Sequence, residues 1–333
     1  MIDLLGYGFM QRALIAALVT GLAAPVVGVY LVQRRLALMG DGLGHVAVTG
    51  VAVGLLTGTS PTWTAVGVAV LGAVLIEVIR ERGHTSGDVA LALLFYGGIA
   101  GGVLLVGLGD QSAARLNQFL FGALTSLGPD DVLAAMLLAA VVVVLGIGLA
   151  PQLFAVAHDA EFARVNGLSV RGYNLLVAVL AAVTVTVAMR TVGLLLVSAL
   201  MVVPVATAQQ LTRTFRGTLL AAVALGAGAS VGGLLLAAWV GLRFDADVAT
   251  GPTIVLLSLA GFVLTWPIGI LVRHRQRVRR PFEDEVPDEH LVADHDHAHG
   301  PDCGHVAVRH GDHVDYVHDG HRHAPHGRHY DEH

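Results

Sequence analysis

The chain has 333 residues, of which 55% are hydrophobic and only 14% charged, and its formal net charge is −5. A soluble domain carries about a quarter charged residues, so this composition indicates a polytopic membrane protein. The sequence contains no lysine. This excludes a P-loop nucleotide site, which needs a lysine on the phosphates, so any ATP that drives this protein must bind another subunit.

Nine apolar segments are close to the ~20 residues that cross a bilayer. They lie at about 9–32, 36–57, 61–80, 87–108, 130–154, 171–189, 192–210, 216–241 and 249–273. The breaks at 57–61 and 189–192 are short, and merging one pair would give eight spans. The pattern predicts an all-α membrane bundle of eight or nine transmembrane helices over residues 1–275.

The arginines are distributed unevenly between the two sides of this predicted bundle. If the first segment runs inward, the cytosolic side receives Arg34, Arg35, Arg80, Arg82, Arg164, Arg171, Arg213, Arg216 and the cluster at 273–280. The outer side receives Arg12, Arg115, Arg190 and Arg243. Because cytosolic loops are enriched in arginine, we expect an external N-terminus and a cytosolic C-terminus.

The second span opens with one acid and one imidazole, Asp41 and His45. Positions i and i+4 lie above one another on a helix face, so these two side chains could share one cation. An ionisable group in a span costs roughly 2.5–3.5 kcal/mol and usually faces a cavity, a partner or a pathway. The alternative is a pair near a helix end that reaches the interface. Gly40, Gly42 and Gly44 favour close packing or a broken helix.

Residues 109–131 connect the fourth and fifth spans and contain a short apolar piece from Phe119 to Leu124. This piece is too short to cross a bilayer. It is interpreted either as a re-entrant or interfacial helix or as an ordinary loop with apolar anchors.

The loop at 155–171 carries the signals of a short helix. Asp159 can cap it, Glu161 falls in its first turn, and Gly167 can end it. By the arginine distribution this loop is cytosolic. It is either a surface connector or an element that docks a partner protein.

The segment from Thr191 to Gln210 has Pro204 in the interior of an apolar helix. Proline removes a backbone hydrogen bond, and such kinks are tolerated in membranes where neighbours or a cavity satisfy the carbonyl. Ser198 and Thr207 are candidate pathway-lining residues. The alternative is hydrogen bonding between helices, which is their commoner use.

Residues 276–333 form a polar, histidine-rich tail that lacks apolar residues for a core, and we expect it to be disordered. Imidazole binds zinc and suits nickel, cobalt and copper. The spacing fits no fixed zinc-finger pattern, which favours loose binding at several sites; the alternative is a tolerated low-complexity or pH-responsive tail. The candidate ligands are His295, His297, His299, Cys303, His305, His321 and His323.

Two stretches resemble one family. Met39 to His45 resembles the Met-Gly-Asp-Ala-x-Ser-His motif in the permease subunits of zinc/manganese-type ABC importers, and Val192 to Ala208 resembles their second signature. The likeness covers about residues 5–275. Gly42 and Gly44 replace the family's common Ala and Ser, which suggests a looser helix, and the tail lies outside the shared region.

The resemblance implies a type II ABC importer-like permease in a bacterial cytoplasmic membrane. It implies a homodimer, two cytosolic ATPase subunits and an extracellular or periplasmic metal-binding protein, with neither a prosthetic group nor a nucleic-acid partner. Zn²⁺ or Mn²⁺ would be transported. Asp41 and His45 would be pathway ligands, and the helix from Asp159 to Gly167 would couple the permease to the ATPase.

A two-fold dimer would bring two copies of Asp41 and His45 to one axis, giving a four-coordinate oxygen and nitrogen site that suits Zn²⁺ and is acceptable to Mn²⁺. The ligands must be deprotonated, so we expect uptake to weaken as the pH falls. Asp41 lies only one or two turns from the predicted cytosolic end, so the helix is broken, its boundaries differ, or the site is near the inner gate. The tail would buffer or sense incoming metal.

Three other classes remain open. A proton-coupled secondary transporter would use buried acids, for which the spans offer Asp41 and Glu77. A permease for a siderophore or vitamin B12 would carry bulky chelates and would not need a ligand pair in a helix. A membrane sensor would use the tail as its output. An enzyme is not expected, because neither a nucleophile–base set nor a phosphate loop is evident.

Overall fold

The structure is a computed structural model that describes residues 6–81, 87–108, 119–120, 122, 127–246, 248–279, 291–292, 303–310, 313–318, 321–326 and 329–332. The described residues form eleven helices and five short strands. The helices are α1 (Gly8–Gln33), α2 (Met39–Thr57), α3 (Pro61–Glu81), α4 (Gly87–Leu108), α5 (Pro129–Gly148), α6 (Ala150–His158), α7 (Ala160–Val165), α8 (Val170–Thr191), α9 (Leu194–Leu211), α10 (Phe215–Phe244) and α11 (Thr250–Arg279).

Eight of the described helices are long and apolar enough to cross a membrane, namely α1 to α5, α8, α10 and α11. The predicted membrane bundle is therefore confirmed. The segment predicted at 192–210 is α9, an apolar helix shorter than these eight. The segment predicted at 130–154 is too long, because α5 ends at Gly148 and α6 follows. Pro151 lacks the amide hydrogen that would continue the α5 hydrogen-bond ladder.

Two short breaks separate neighbouring helices, so neither pair merges into one. Gly58 follows α2 with φ +68°, and Gly193 lies between α8 and α9 with φ +92°. Glycine adopts positive φ without a steric penalty. Pro61 then begins α3, a position where its missing amide hydrogen costs nothing.

The centre of the bundle is formed by α1, α2 and α8, which are mostly buried, whereas α4 and α11 are mostly exposed. Small residues explain the close packing of the inner helices. A Cβ added at Gly21 would lie 2.7 Å from the Gly226 carbonyl oxygen, and one added at Gly50 would lie 2.6 Å from the Ala65 Cα. Helix backbones approach this closely in membranes only across such residues.

The chain divides into two compact units, Met1–Ile270 and Leu271–His333. The second contains an antiparallel five-stranded sheet in the order β1-β5-β4-β3-β2, built from Leu291–Val292, Val306–His310, His313–His318, His321–His326 and His329–Glu332. These strands lie within the tail that was expected to be disordered. Strands β2 and β3 contain valines and a tyrosine, which favour strands, and β2 to β5 pair antiparallel with their neighbours in sequence.

Candidate functional site

Asp41 and His45 lie one turn apart on α2, which runs without interruption from Met39 to Thr57. The expected loosening at Gly42 and Gly44 does not break the helix. Both glycines are contact points, because a Cβ at Gly42 would lie 2.5 Å from Leu91 Cδ1 of α4 and one at Gly44 would lie 2.8 Å from a leucine of α9. Asp41 is in the first turn, where the helix dipole favours a carboxylate.

The His45 side chain packs against α4, and the residue is only 8% exposed. Its ring meets Phe95 edge to face, with 4.3 Å between the centroids and an interplanar angle of 72°. The α4 backbone approaches at the same level: Thr49 Oγ1 donates a hydrogen bond to the Gly98 carbonyl at 2.8 Å. A Cβ on Gly98 would lie 2.6 Å from the His45 carbonyl carbon. The imidazole is thus positioned by an aromatic contact and a tight helix crossing.

On its other side, the first turn of α2 packs against α9. A Cβ added at Gly40 would lie 3.4 Å from Ser198 Oγ and 3.2 Å from Met201 Sδ. The Ser198 hydroxyl is buried and has no hydrogen-bond partner among the described residues. A buried polar atom without a partner is costly, so a bound ion or water next to the Ser198 hydroxyl would stabilise it.

A cavity of about 100 Å³ lies next to the same turn. Its walls are residues 35–39 before and at the start of α2, Ile76 and Arg80 of α3, and Leu91 of α4. The cavity lies at the end of α2 that carries Asp41, although Asp41 does not line it.

Within the part of the chain whose side chains are described, no three His, Cys, Asp or Glu side chains lie close enough to hold one metal ion. Asp41 and His45 alone would give two ligands. Structural zinc sites have four protein ligands, and catalytic zinc sites have three protein ligands and a water molecule. The pair is therefore an incomplete coordination set within one chain.

Glu77, an acid that a proton relay could use, forms ion pairs with two arginines. Arg80 Nη1 donates to Glu77 Oε2 at 3.0 Å, and Arg34 Nη2 lies 4.0 Å from Glu77 Oε1. Burial lowers the pKa of Arg34, and the Glu77 carboxylate opposes that shift. Arg171 pairs with Glu81 at 2.7 Å. These contacts bring the ends of α1 and α3 and the start of α8 to one end of the bundle.

A second polar cluster marks the opposite end. Arg190, at the end of α8, pairs with Asp131 of α5 and donates to Thr62 Oγ1 of α3 at 3.3 Å. Its guanidinium lies 5.4 Å from the Phe119 ring centroid. Phe119 and Leu120 are helical, but most of the segment 109–128, including Phe121, Ala123 and Leu124 of the apolar piece, lies outside the described residues.

The short helix predicted after residue 155 is confirmed as α7. Asp159 Oδ1 accepts a hydrogen bond from the Phe162 amide at 2.9 Å, and Glu161 pairs with Arg164 at 2.9 Å in an exposed position. Gly167 follows with φ +79°, and the Gly167 amide bonds back to the Arg164 carbonyl. The chain thus ends this helix with the left-handed glycine expected there.

One face of α7 is anchored and the other is open. Ala163 is fully buried against Val156 and Val170, whereas Phe162 and Val165 are 64% and 87% exposed. Two apolar side chains presented on a short surface helix offer a contact for another protein.

The remaining predicted residues are spread over both units. Pro204 and Thr207 are buried in α9, which continues through the proline, and Thr207 Oγ1 donates to the Val203 carbonyl within its own helix. Cys303 and His305 lie just before β2, and His321 and His323 are positions in β4. His295, His297 and His299 lie outside the described residues.

Phe95 and Gly98 were not predicted as parts of the site. The sequence does contain a signal for the helix contact, because Gly98 and Gly102 have the four-residue spacing of small residues at membrane-helix interfaces. The partner of that interface and the edge-on position of Phe95 have no signal in a single sequence.

Residues 6–268 match the ABC 3 transport family. The chain is 30% identical over 271 residues to the manganese import system permease protein ScaB of Streptococcus gordonii, covering 81% of this chain and 95% of that protein. It is 28% identical over 253 residues to the high-affinity zinc uptake system membrane protein ZnuB of Haemophilus influenzae, covering 76% and 95%. The structure of PsaBC from Streptococcus pneumoniae in complex with Fab matches at a TM-score of 0.71, with 30% identity, over 80% of this chain and 94% of that one.

Proposed function

The chain belongs to the ABC 3 transport family and is a permease of the metal-importer type, and we propose that it carries a divalent metal, Zn²⁺ in preference to Mn²⁺, past Asp41 and His45. One observation carries the proposal. The two side chains lie one turn apart on one face of an uninterrupted span, and the unpartnered Ser198 hydroxyl of the neighbouring helix faces Gly40 in the same first turn. Oxygen and nitrogen donors in this arrangement suit a divalent cation.

The coordination set is completed by a second copy of the chain. One copy supplies a carboxylate and an imidazole, and a two-fold axis beside α2 supplies a second pair, which gives four ligands. Two imidazoles and two carboxylates favour Zn²⁺, while Mn²⁺ prefers a set richer in oxygen. A site shared between two copies also opens when the copies move apart, which lets the ion leave.

We place the cytosol at the end of the bundle that holds Arg34, Arg80 and Arg171. Arginine enrichment on the cytosolic side supports this orientation. The first turn of α2, and with it Asp41, then lies toward the cytosolic end. The proposed site is thus near the inner gate, and the tail is cytosolic in a bacterial cytoplasmic membrane.

The proposed contact with the cytosolic ATPase subunits is α7. Its buried Ala163 fixes the helix to the permease, and its exposed Phe162 and Val165 insert into the ATPase. Because α8 begins five residues after α7 ends and packs against α1, α2 and α3, a displacement of α7 is transmitted toward the α2 site. Substrate would arrive from an extracellular or periplasmic metal-binding protein at the opposite end.

The arrangement is less suited to the alternatives. A proton-coupled carrier needs an acid that is available to exchange protons, and Glu77 is instead paired with Arg34 and Arg80. A carrier of bulky chelates has no use for an acid and an imidazole on one helix face, with the imidazole ring held against Phe95.

The test is metal uptake into cells that express the chain with its ATPase and binding protein. We compare wild type with Asp41→Ala for ⁶⁵Zn²⁺ and ⁵⁴Mn²⁺ separately. Asp130→Ala is the matched control, because Asp130 is also an acid in the first turn of a span but is exposed. We expect Asp41→Ala to abolish zinc uptake and Asp130→Ala to leave it at the wild-type rate.

Loss of manganese uptake alone would reassign the substrate to Mn²⁺. Undiminished uptake of both metals by Asp41→Ala would remove this residue from the pathway. Membrane fractionation of each variant separates these results from a failure to insert.

A further inference from the structure

The cavity beside the first turn of α2 has a cationic part and an apolar part. Arg35 and Arg80 are among its walls, and none of the described residues that line it is acidic. Its other walls are apolar: Leu36, Ala37, Leu38, Met39, Ile76 and Leu91. Its volume is about 100 Å³. Because a single water needs roughly 10–15 Å³, a phosphate group fits into this space.

The arginines around this cavity outnumber the carboxylates paired with them. Glu77 is shared by two of them, at 3.0 Å from Arg80 and 4.0 Å from Arg34. Arg35 forms no ion pair with any residue that the structure describes. Burial lowers the pKa of Arg34, and Arg80 adds to that shift while Glu77 opposes it. One carboxylate therefore stands against three guanidiniums, and an anion in the cavity would offset the remaining positive charge.

The backbone of Arg35 has a conformation that is unusual for an arginine. Its φ is +57°, and Asp245 is the only other described non-glycine residue with a positive φ. The Arg35 amide donates to the Val32 carbonyl, and the Leu36 amide donates to the Leu31 carbonyl at 2.8 Å. This helix ending usually has glycine at the left-handed position. Strained backbone of this kind is concentrated at ligand-binding sites, which favours a role for the Arg35 side chain.

The cavity lies among residues at the surface of the bundle. Leu38 is 70% exposed, and Arg35 is exposed as well. The helix that supplies Leu91, α4, is one of the two most exposed spans. This is the end of the bundle that we assign to the cytosol. Basic pockets between membrane helices on the cytosolic side bind the headgroups of anionic lipids.

We propose that this cavity binds the headgroup phosphate of one anionic phospholipid per chain, with Arg35 and Arg80 as the cationic contacts and Leu38 beside the acyl chain. Guanidinium groups match phosphate oxygens in charge and in hydrogen-bond geometry. A zwitterionic phospholipid has the same phosphate next to a cationic amine, which the arginines repel. The bound lipid would hold the connection between α1 and α2 against α3. This site does not depend on which metal the permease carries.

The experiment measures lipid binding to the purified full-length chain in detergent by native mass spectrometry. Phosphatidylglycerol is the anionic probe, phosphatidylcholine is the zwitterionic comparison, and inorganic phosphate is added as a competitor. The test variant is Arg35→Gly, which removes the guanidinium and suits the positive φ, so the turn is retained. The matched control is Arg213→Gly. Arg213 is also an exposed arginine between two helices, but it does not line the cavity.

We expect one tightly bound phosphatidylglycerol per wild-type chain, and a Kd raised roughly tenfold in Arg35→Gly. Arg213→Gly should bind like the wild type. Equal affinity for the two phospholipids, or an equal loss in the two variants, would overturn the proposal in favour of nonspecific lipid contacts. Displacement of phosphatidylglycerol by inorganic phosphate at equal concentration would identify a free anion as the ligand and would overturn the assignment to a lipid.

A second measurement locates the lipid on the chain in reconstituted vesicles. Leu38→Trp places an indole at the cavity, and Leu220→Trp is the matched control, because Leu220 is 69% exposed on α10 and does not line the cavity. Brominated acyl chains quench the fluorescence of a tryptophan that they contact. After subtraction of the signal from the three native tryptophans, brominated phosphatidylglycerol should quench position 38 more than brominated phosphatidylcholine does, with no such difference at position 220. Equal quenching of position 38 by both lipids would overturn the proposal.

Discussion

The chain presents metal-binding side chains in two settings that differ in how many ligands one copy contributes. The α2 helix offers two, Asp41 and His45, inside a membrane span. The C-terminal tail carries many more histidines, some of which pair in register between neighbouring strands. The proposed α2 set needs a second copy of the chain to reach four ligands.

This difference corresponds to two tasks. An ion in transit must be bound well enough to enter and weakly enough to leave. A pair contributed by each of two copies, as proposed, would meet that condition, because separating the copies would remove half of the ligands at once. Histidines of the tail, which belong to the second unit, would suit storage or sensing, where rapid release is not needed. The carboxylate of the α2 pair also admits Mn²⁺ more readily than an all-imidazole set would.

The largest expected effect comes from replacing the carboxylate of the proposed pathway pair by an imidazole. Asp41→His replaces the carboxylate with an imidazole and makes the shared set all-nitrogen. We expect Zn²⁺ to be retained, with about 2.8 kcal/mol tighter binding slowing its release and uptake roughly a hundredfold. Uptake of ⁶⁵Zn²⁺ and metal analysis of the purified dimer measure both effects.

The control for that variant is Asp41→Asn, which keeps the size and an oxygen ligand but removes the charge. It should lower uptake without retaining metal. Rapid zinc uptake by Asp41→His would contradict the view that weak, shared coordination is needed for release.

An intermediate effect is expected from moving α2 without changing a ligand. Gly98→Ala places a Cβ 2.6 Å from the His45 carbonyl carbon, so α2 and α4 must separate. Overpacking of this kind costs roughly 1–3 kcal/mol, and the displaced imidazole should lower uptake roughly tenfold. Gly97→Ala is the control, because a Cβ there meets nothing within 4 Å. Equal uptake by the two variants would show that the α4 crossing does not position His45.

Much of the bundle could be predicted because a bilayer requires long apolar helices, and glycine and proline interrupt them visibly. The breaks at Gly58, Pro61 and Gly193 belong to this class. So does the cap at Asp159, which depends only on residues three positions apart. The spacing of Asp41 and His45 likewise specifies a shared helix face without any tertiary information.

The surroundings of the pair could not be predicted in the same way. Each span is apolar on all sides, so hydropathy does not tell which face of α4 or α9 meets α2. The contacts of Phe95 with His45 and of Arg34 with Glu77 join helices that are distant in sequence. Such contacts depend on how the helices pack, and the periodicity of hydrophobic residues does not predict which helix faces meet.

The tail carries two sequence signals that point in different directions. Its many histidines and polar residues are typical of disorder, whereas the Asp-Gly and Gly-Asp pairs between Val- and Tyr-containing stretches are a hairpin signal. Overall composition does not register this local turn chemistry. Strands β2 to β5 pair with their neighbours in sequence, which needs no long-range information, whereas the pairing of β1 with β5 does.

The smallest effect on transport is expected from deleting residues 283–333. At saturating Zn²⁺, uptake should stay within about twofold of wild type, because the proposed pathway ligands lie in α2. At limiting or excess Zn²⁺ the rate should depend differently on concentration, because the deletion removes the histidines proposed to buffer or sense the metal. Uptake across a Zn²⁺ titration, with membrane insertion checked by fractionation, measures this. A deletion that prevents insertion, or one that abolishes uptake at saturating metal, would mean that the two settings are not separable and that the sheet takes part in transport.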